Sequence, residues 1–180
     1  MSPDKLLTLA SLEKQKADQA EQTLEAILPN LKTKYEVIDN KPVVTYYEGV
    51  EGIKKVYMDT IKEGKEMWSL VETSEVDPAI YEWLTTTYVV DRVKKDIKVK
   101  AIVASGSKTK IYTGLNEKEL RETKVISSDK FPFENEINIY GNKMAIVNYR
   151  KGTKLLGVII DNPILVNTFR SWFNLTWQSI

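Results

Sequence analysis

Through residues 2–34 apolar positions recur every three or four residues, the period of one helix face. Leu6, Ala10, Ala17, Ala20, Leu24, Ile27 and Leu31 fall on a single seam with 4,3,4,3 spacing, broken only by Glu13. The segment has no glycine and no aromatic residue and is built largely from Leu, Ala, Glu, Lys and Gln, all strong helix formers. One long, coiled-coil-like helix is predicted, with Ser2 as N-cap, Pro3 where a missing N–H costs nothing, and Asp4 against the positive helix end. Pro29 withdraws the hydrogen bond to Glu25 and should kink or end the helix. The seam suits two roles. It can lie on the core of its own domain, or pair with a second copy, where Ala10, Ala17 and Ala20 allow close approach.

From residue 41 strand-like and helix-like periods alternate, the mark of an α/β layered domain. Residues 41–47 (KPVVTYY) read as a strand. The EGVEG run then turns into a helix over about 53–63 with Ile53, Val56, Tyr57 and Ile61 on one face, ended by Gly64. Residues 66–71 (EMWSLV) make a second strand, and Asp77-Pro78 opens a helix carrying Ile80, Trp83, Leu84, Tyr88 and Val89. In residues 97–103 (IKVKAIV), Lys98 and Lys100 alternate with Ile97, Val99 and Ala101, so one side of that strand faces water or a partner. Residues 104–119 are polar and glycine-punctuated, a mobile connection with one short helix around 117–122. Strands at 122–126, 136–140, 143–149 and 155–160 follow, the middle two joined as a hairpin through Gly141-Asn142. Asn162-Pro163 opens a terminal helix docked on the sheet, in which Val166, Phe169, Trp172, Phe173, Leu175 and Trp177 concentrate apolar mass. The chain divides into a long helix, residues 1–34, and one α/β core, residues 35–180.

Composition narrows the chemistry. In 180 residues, 26 Lys and Arg balance 25 Asp and Glu, so no global field attracts DNA or an anionic membrane. The chain has no Cys and no His, which excludes disulfides, thiolate nucleophiles, Cys/His zinc sites, Ser-His-Asp triads and imidazole acid/base catalysis. No apolar run approaches the roughly 18–20 residues of a membrane span, and the first residues lack the apolar core of a secretion signal. A cytoplasmic protein without metal or cofactor is expected, with no membrane partner.

Candidate site residues lie at strand ends, where α/β folds gather ligand-binding loops. They are Glu48 and Gly49 in EGVEG, Thr73, Ser74 and Glu75 after the second strand, Ser105 and Ser107 after the third, and Asn135 and Glu136 before the hairpin. Gly49 and Gly52 could hold an anion at a helix start, yet they form no phosphate-binding motif and the adjacent Glu48 and Glu51 repel phosphate. Glu48 and Glu51 also offer a carboxylate pair for acid/base work, against the simpler reading of both as helix-dipole partners. Lys94, Lys95, Lys98 and Lys100 form the most basic cluster, but without interleaved aromatics and beside Asp91 and Asp96 they read as a solvated face. Trp68, Trp83, Trp172 and Trp177 read as packing residues.

The segments KPVVTYYEGVEGIKKVYMDTI, YEWLTTTYVVDRVKKDIKVKAIV, LRETKVISSDKFPFENEINIYGNKMAIVNY and LLGVIIDNPILVNTFRSWFNLTW, in this order behind a Leu/Lys/Glu-rich helix, carry a resemblance. Over about residues 5–178 the chain resembles the C-terminal, phospholipase-D-like portion of TrmB-type sugar-specific transcriptional regulators. The resemblance implies a mixed sheet flanked by helices, a homodimer, a small-molecule effector such as a sugar or similar polar metabolite, and DNA contact only through a winged-helix domain absent from this chain. The phospholipase-D motif HxKxxxxD corresponds to FPFENEINIYG, which sets Phe133, Asn135 and Tyr140 at the His, Lys and Asp positions. With no imidazole nucleophile, the implied role is regulation and dimerisation, not catalysis. A stand-alone dimerisation scaffold, and a carboxylate-dependent hydrolase, are the alternatives.

Overall fold

Glycine, proline and capping side chains set the element boundaries of this computed structural model, which describes residues 3–38, 42–73 and 75–180. Ser2 and Ser74 lie outside the described residues. Helix α1 (Pro3–Ile38) continues beyond Pro29, where the sequence predicted a kink or an end. Strong helix formers on both sides of a single lost hydrogen bond carry it through. Residues 1–41 form one unit and residues 42–180 another. Along α1 the described side chains at 10–28 are exposed, including Ala10, Ala17, Ala20, Leu24 and Ile27 of the seam; the side chains of Leu6 and Leu31 lie outside the described set.

The second unit opens with strand β1 (Val43–Glu48) and helix α2 (Gly49–Glu63). The helix starts four residues before its predicted start because Gly49, at φ 72°, turns the chain directly off the strand. Gly52 then lets α2 lie against β1: a Cβ there would stand 3.1 Å from the carbonyl carbon of Tyr47. Gly64, at φ 65°, closes α2 with its N–H on the carbonyl of Thr60. Strand β2 (Met67–Val71) leads to helix α3 (Pro78–Trp83), whose Asp77 cap accepts from the N–H groups of Ala79 and Ile80. A π-helical turn, Leu84–Tyr88, joins α3 to α4 (Val89–Lys94). Three consecutive threonines occupy this turn, and Thr85 and Thr86 donate back to the carbonyls of Tyr81 and Glu82, a competition that bends helices.

After β3 (Val99–Ala104) the predicted short helix appears earlier than expected, as α5 (Thr109–Gly114). The 117–122 region is instead turn and the start of β4 (Arg121–Ile126), because it wraps around the Arg121 guanidinium. Arg121 donates to the Asn116 side chain, the Tyr112 carbonyl and the Glu119 carboxylate. Strands β5 (Glu136–Tyr140) and β6 (Lys143–Asn148) form the predicted hairpin through Gly141 at φ 51°. Strand β7 (Leu156–Asp161) and helix α6 (Pro163–Ser179) complete the unit, the helix capped by Asn162 on the N–H of Leu165.

The seven strands form one mixed sheet in the order β1-β7-β6-β5-β2-β3-β4. Strands β2, β3 and β4 are parallel, and the other neighbouring pairs are antiparallel. One face packs Ile53, Val56, Tyr57 and Ile61 of α2 with Ile80, Tyr88 and the facing strand residues. The other face packs Val166 and Phe173 of α6 on Ile102, Ile139 and Met144. Trp172 and Leu175 depart from the expectation: both are exposed, at 60% and 67%. The buried stripe of α6 runs through Val166, Phe169, Phe173 and Trp177, and positions 172 and 175 fall off it. Among the described residues no helix is long and apolar enough to cross a membrane.

Replacing Asp77 by Ala removes both capping bonds of α3 and is expected to lower stability by about 1 kcal/mol, whereas Asp77→Asn keeps most of it. Chemical denaturation midpoints of the two variants check this.

Candidate ligand-binding site

A cavity of about 130 Å³ lies on the first face of the sheet, lined by residues of β2, β3 and β5 and by α3, the π-helical turn, α4 and α5. The parallel run β2-β3-β4 explains the gap: each crossover must climb over the sheet, and the α3–α4 and α5 crossovers both border the cavity. The π-helical turn contributes Leu84, Thr85 and Tyr88 to the wall. A single π turn inside a helix is a frequent device at functional sites.

The floor is a polar network centred on Glu136, only 7% exposed. Its carboxylate accepts from Tyr57 Oη, Tyr149 Oη and Asn138 Nδ2, each at 2.6 Å. Asn138 in turn accepts from Ser69 Oγ at 2.6 Å. Burial raises the Glu136 carboxyl above the usual carboxylate range, partly offset by the three donors. The same burial, together with the nearby carboxylate, drives the Tyr57 and Tyr149 hydroxyls far up. Tyr88 stacks at the edge of Tyr57, 4.8 Å between ring centres, and shares a 2.8 Å hydrogen bond with Thr60.

The end of the cavity near the start of β3 and β4 holds two guanidinium groups already satisfied by the protein. Arg92, 2% exposed, donates to the carbonyls of Ile97 and Glu119, and its burial lowers its affinity for the proton. Arg121 pairs with Glu119 at 2.6 Å and lies 3.5 Å from the Tyr112 ring centre. Burial pushes the Tyr112 hydroxyl up to about 12. The opposite end, beyond the carboxyl ends of β2 and β3, holds Thr73 and Lys108. Thr73 is 5% exposed, and its Oγ1 is buried without a hydrogen-bond partner. Lys108 Nζ sits 3.9 Å from the Tyr81 ring centre, and among the described residues no carboxylate pairs with it.

Of the residues expected from sequence, Thr73 and Glu136 meet on this cavity. The other expected residues among those described do not line it. Glu48 pairs with Lys154 at 2.8 Å, Glu51 with Lys54 at 2.8 Å, and the Gly49 N–H is taken by the Leu155 carbonyl. Glu75 is exposed and its N–H donates to the Glu72 carboxylate. Ser105 shares its hydroxyl with Ser128, while Ser107 and Asn135 are exposed. Ser69, Arg92, Lys108 and Asn138 were not expected. For Ser69 and Asn138 the signal was a polar side chain interrupting an apolar run, in EMWSLV and EINIY; Arg92 and Lys108 carry no such mark.

The positions matching the phospholipase-D motif are dispersed. Phe133 packs with the α6-side cluster, Asn135 is exposed, and Tyr140 is buried with its hydroxyl donating to Asp59 at 3.0 Å.

The architecture is a phospholipase-D-like fold. Nuc, a phospholipase D family member from Salmonella typhimurium, superposes with a TM-score of 0.56 at 18% identity, over 77% of this chain and 95% of Nuc. NucT from Helicobacter pylori superposes with a TM-score of 0.55 at 8% identity, over 77% of this chain and 98% of NucT. TrmBL2, an archaeal chromatin protein with a novel mode of DNA binding, aligns over 99% of this chain and 69% of its own at 15% identity, with a TM-score of 0.49. No family model and no curated protein sequence matches the chain.

The raised Glu136 carboxyl makes stability fall with pH. Its folded form keeps the proton at a pH where the unfolded form has lost it, so the contribution is full below the ordinary carboxylate value and is lost as pH rises through the raised one. Thermal unfolding from about pH 4 to pH 8 is expected to show the melting temperature of the native chain declining relative to Glu136→Gln.

Proposed function

We propose that residues 35–180 are the effector-sensing domain of a TrmB-like transcriptional regulator without catalytic activity, and that the helix over residues 1–34 pairs it with a second copy. The observation that carries this reading is the cavity roofed by the α3–α4 and α5 crossovers, with Thr73 left unpaired in its wall. Concave, mostly apolar pockets with a few placed polar groups are the usual form of small-molecule sites. The sequence resemblance supplies the regulatory context, in which DNA contact belongs to a winged-helix module outside residues 1–180. The missing imidazole supports the loss of phosphodiesterase chemistry. The exposed Leu24 and Ile27 on the α1 seam support pairing, since an apolar seam of this spacing suits the interface of two helices.

Two measurements test the proposal. Thermal unfolding against sugars, sugar phosphates and small organic acids is expected to reveal one stabilising class, worth about 2.7 kcal/mol at 100 times its dissociation constant, and Thr85→Trp at the cavity rim should abolish the shift. In light scattering the chain should run as a dimer and the Leu24→Lys, Ile27→Lys double variant as a monomer; an unchanged mass removes the dimerisation role from α1.

A further inference from the structure

The free polar groups of the cavity stand at one end. Thr73 lies two residues beyond β2 and Lys108 four beyond β3, and these strands are parallel neighbours, so both residues fall past the same edge of the sheet. The other charged groups on the wall are engaged by the protein: Glu136 by three donors, Arg92 by two carbonyls, Arg121 with Glu119, and Glu72 by the N–H of Glu75. Among the described residues Thr73 Oγ1 has no hydrogen-bond partner, and Lys108 has only the face of Tyr81. A buried donor left unpaired in this way is rare and calls for a partner.

The rest of the wall is apolar or aromatic, including Val71, Leu84, Val89, Ile111, Tyr112 and Leu115. At about 130 Å³ the space is close to that of an engineered cavity of roughly 150 Å³ that takes up benzene. A sugar fits these walls poorly, because each of its hydroxyls would need a partner and only one end offers any. A cation also fits poorly, since Lys108 and Arg121 already occupy the Tyr81 and Tyr112 faces on which it would rest.

Building on the effector reading above, we propose that the cavity binds one small aromatic carboxylate, its ring against Val71, Leu84 and Val89 and its carboxylate held by Lys108 Nζ and Thr73 Oγ1. Lys108 supplies the charge and Thr73 the second hydrogen bond. The π-helical turn that places Leu84 and Thr85 on the wall widens the helix over the ring.

Calorimetric titration of the full chain with benzoate, benzamide, benzylamine and glucose tests the assignment. Benzoate is expected to bind saturably and at least about tenfold more tightly than benzamide. Lys108→Met, which keeps the apolar stem over Tyr81, should weaken benzoate about tenfold and leave benzamide nearly unchanged; Thr73→Val should weaken benzoate several-fold. Equal binding of benzoate and benzamide, or benzoate binding insensitive to Lys108→Met, overturns the carboxylate assignment. Binding of glucose or benzylamine in place of benzoate, blocked by Thr85→Trp, overturns the ligand class and leaves the effector site standing. Binding of none of the four, with no stabilisation across the wider metabolite panel, removes both.

Discussion

A carboxyl group taken out of water must be given partners, and the fold around Glu136 is organised to supply them. Tyr57 reaches it from α2, Asn138 from its own strand, and Tyr149 from the residue after β6. The same Tyr149 hydroxyl lies 3.1 Å from the Glu72 carbonyl, in the segment leaving β2. One side chain thereby fixes the distance between a helix, the central strand pair and a loop. The aromatic rings that deliver these hydroxyls also keep water off the carboxylate, which makes each bond stronger and any missing one costlier. A buried group of this kind stabilises little by itself, but it admits only one arrangement of its neighbours.

Alternation along β5 divides the sheet into two environments. Glu136, Asn138 and Tyr140 face the polar network and α2, while Ile137 and Ile139 face α6. Phe133 joins the α6 side and Asn135 stands in solvent. The positions that match a phospholipase-D motif in sequence are thus distributed among an apolar layer, water and a hydrogen bond to Asp59. The polar side chains that line the cavity come from other positions: Ser69, Thr73, Lys108 and Asn138.

The frame was legible because period and punctuation are local properties. Alternation located the seven strands to within a residue or two, and Gly64, Asp77, Gly141 and Asn162 mark boundaries in sequence as they do in space. Two helix readings failed for identifiable reasons. The turn at 115–120 forms around Arg121, whose bonds to Tyr112, Asn116 and Glu119 leave no mark in the hydrophobic period, and aromatic content in α6 hid the fact that Trp172 and Leu175 sit off its buried stripe. The cavity was half legible. Strand ends pointed to Thr73 and Glu136, but the same rule also chose Glu48 and Ser105, which are engaged elsewhere, and nothing local distinguishes a strand end that borders a void from one that is filled. Arg92 carries no local signal either: its guanidinium caps the carbonyls of Ile97 and Glu119, which lie beyond its own helix.

Strand order has a consequence for biosynthesis. The first strand pairs only with the last, Val43 opposite Asp161 and Glu48 opposite Leu156. During translation β1 leaves the ribosome with α2 beside it and waits for nearly the whole unit to be made before its hydrogen-bonding edge is met. Meanwhile Val43, Val44 and Tyr46, which remain partly exposed even in the finished fold, present a short apolar strand without a neighbour. Closure of the sheet therefore waits on β7, and a nascent polypeptide halted before that strand is left with its opening strand unclaimed.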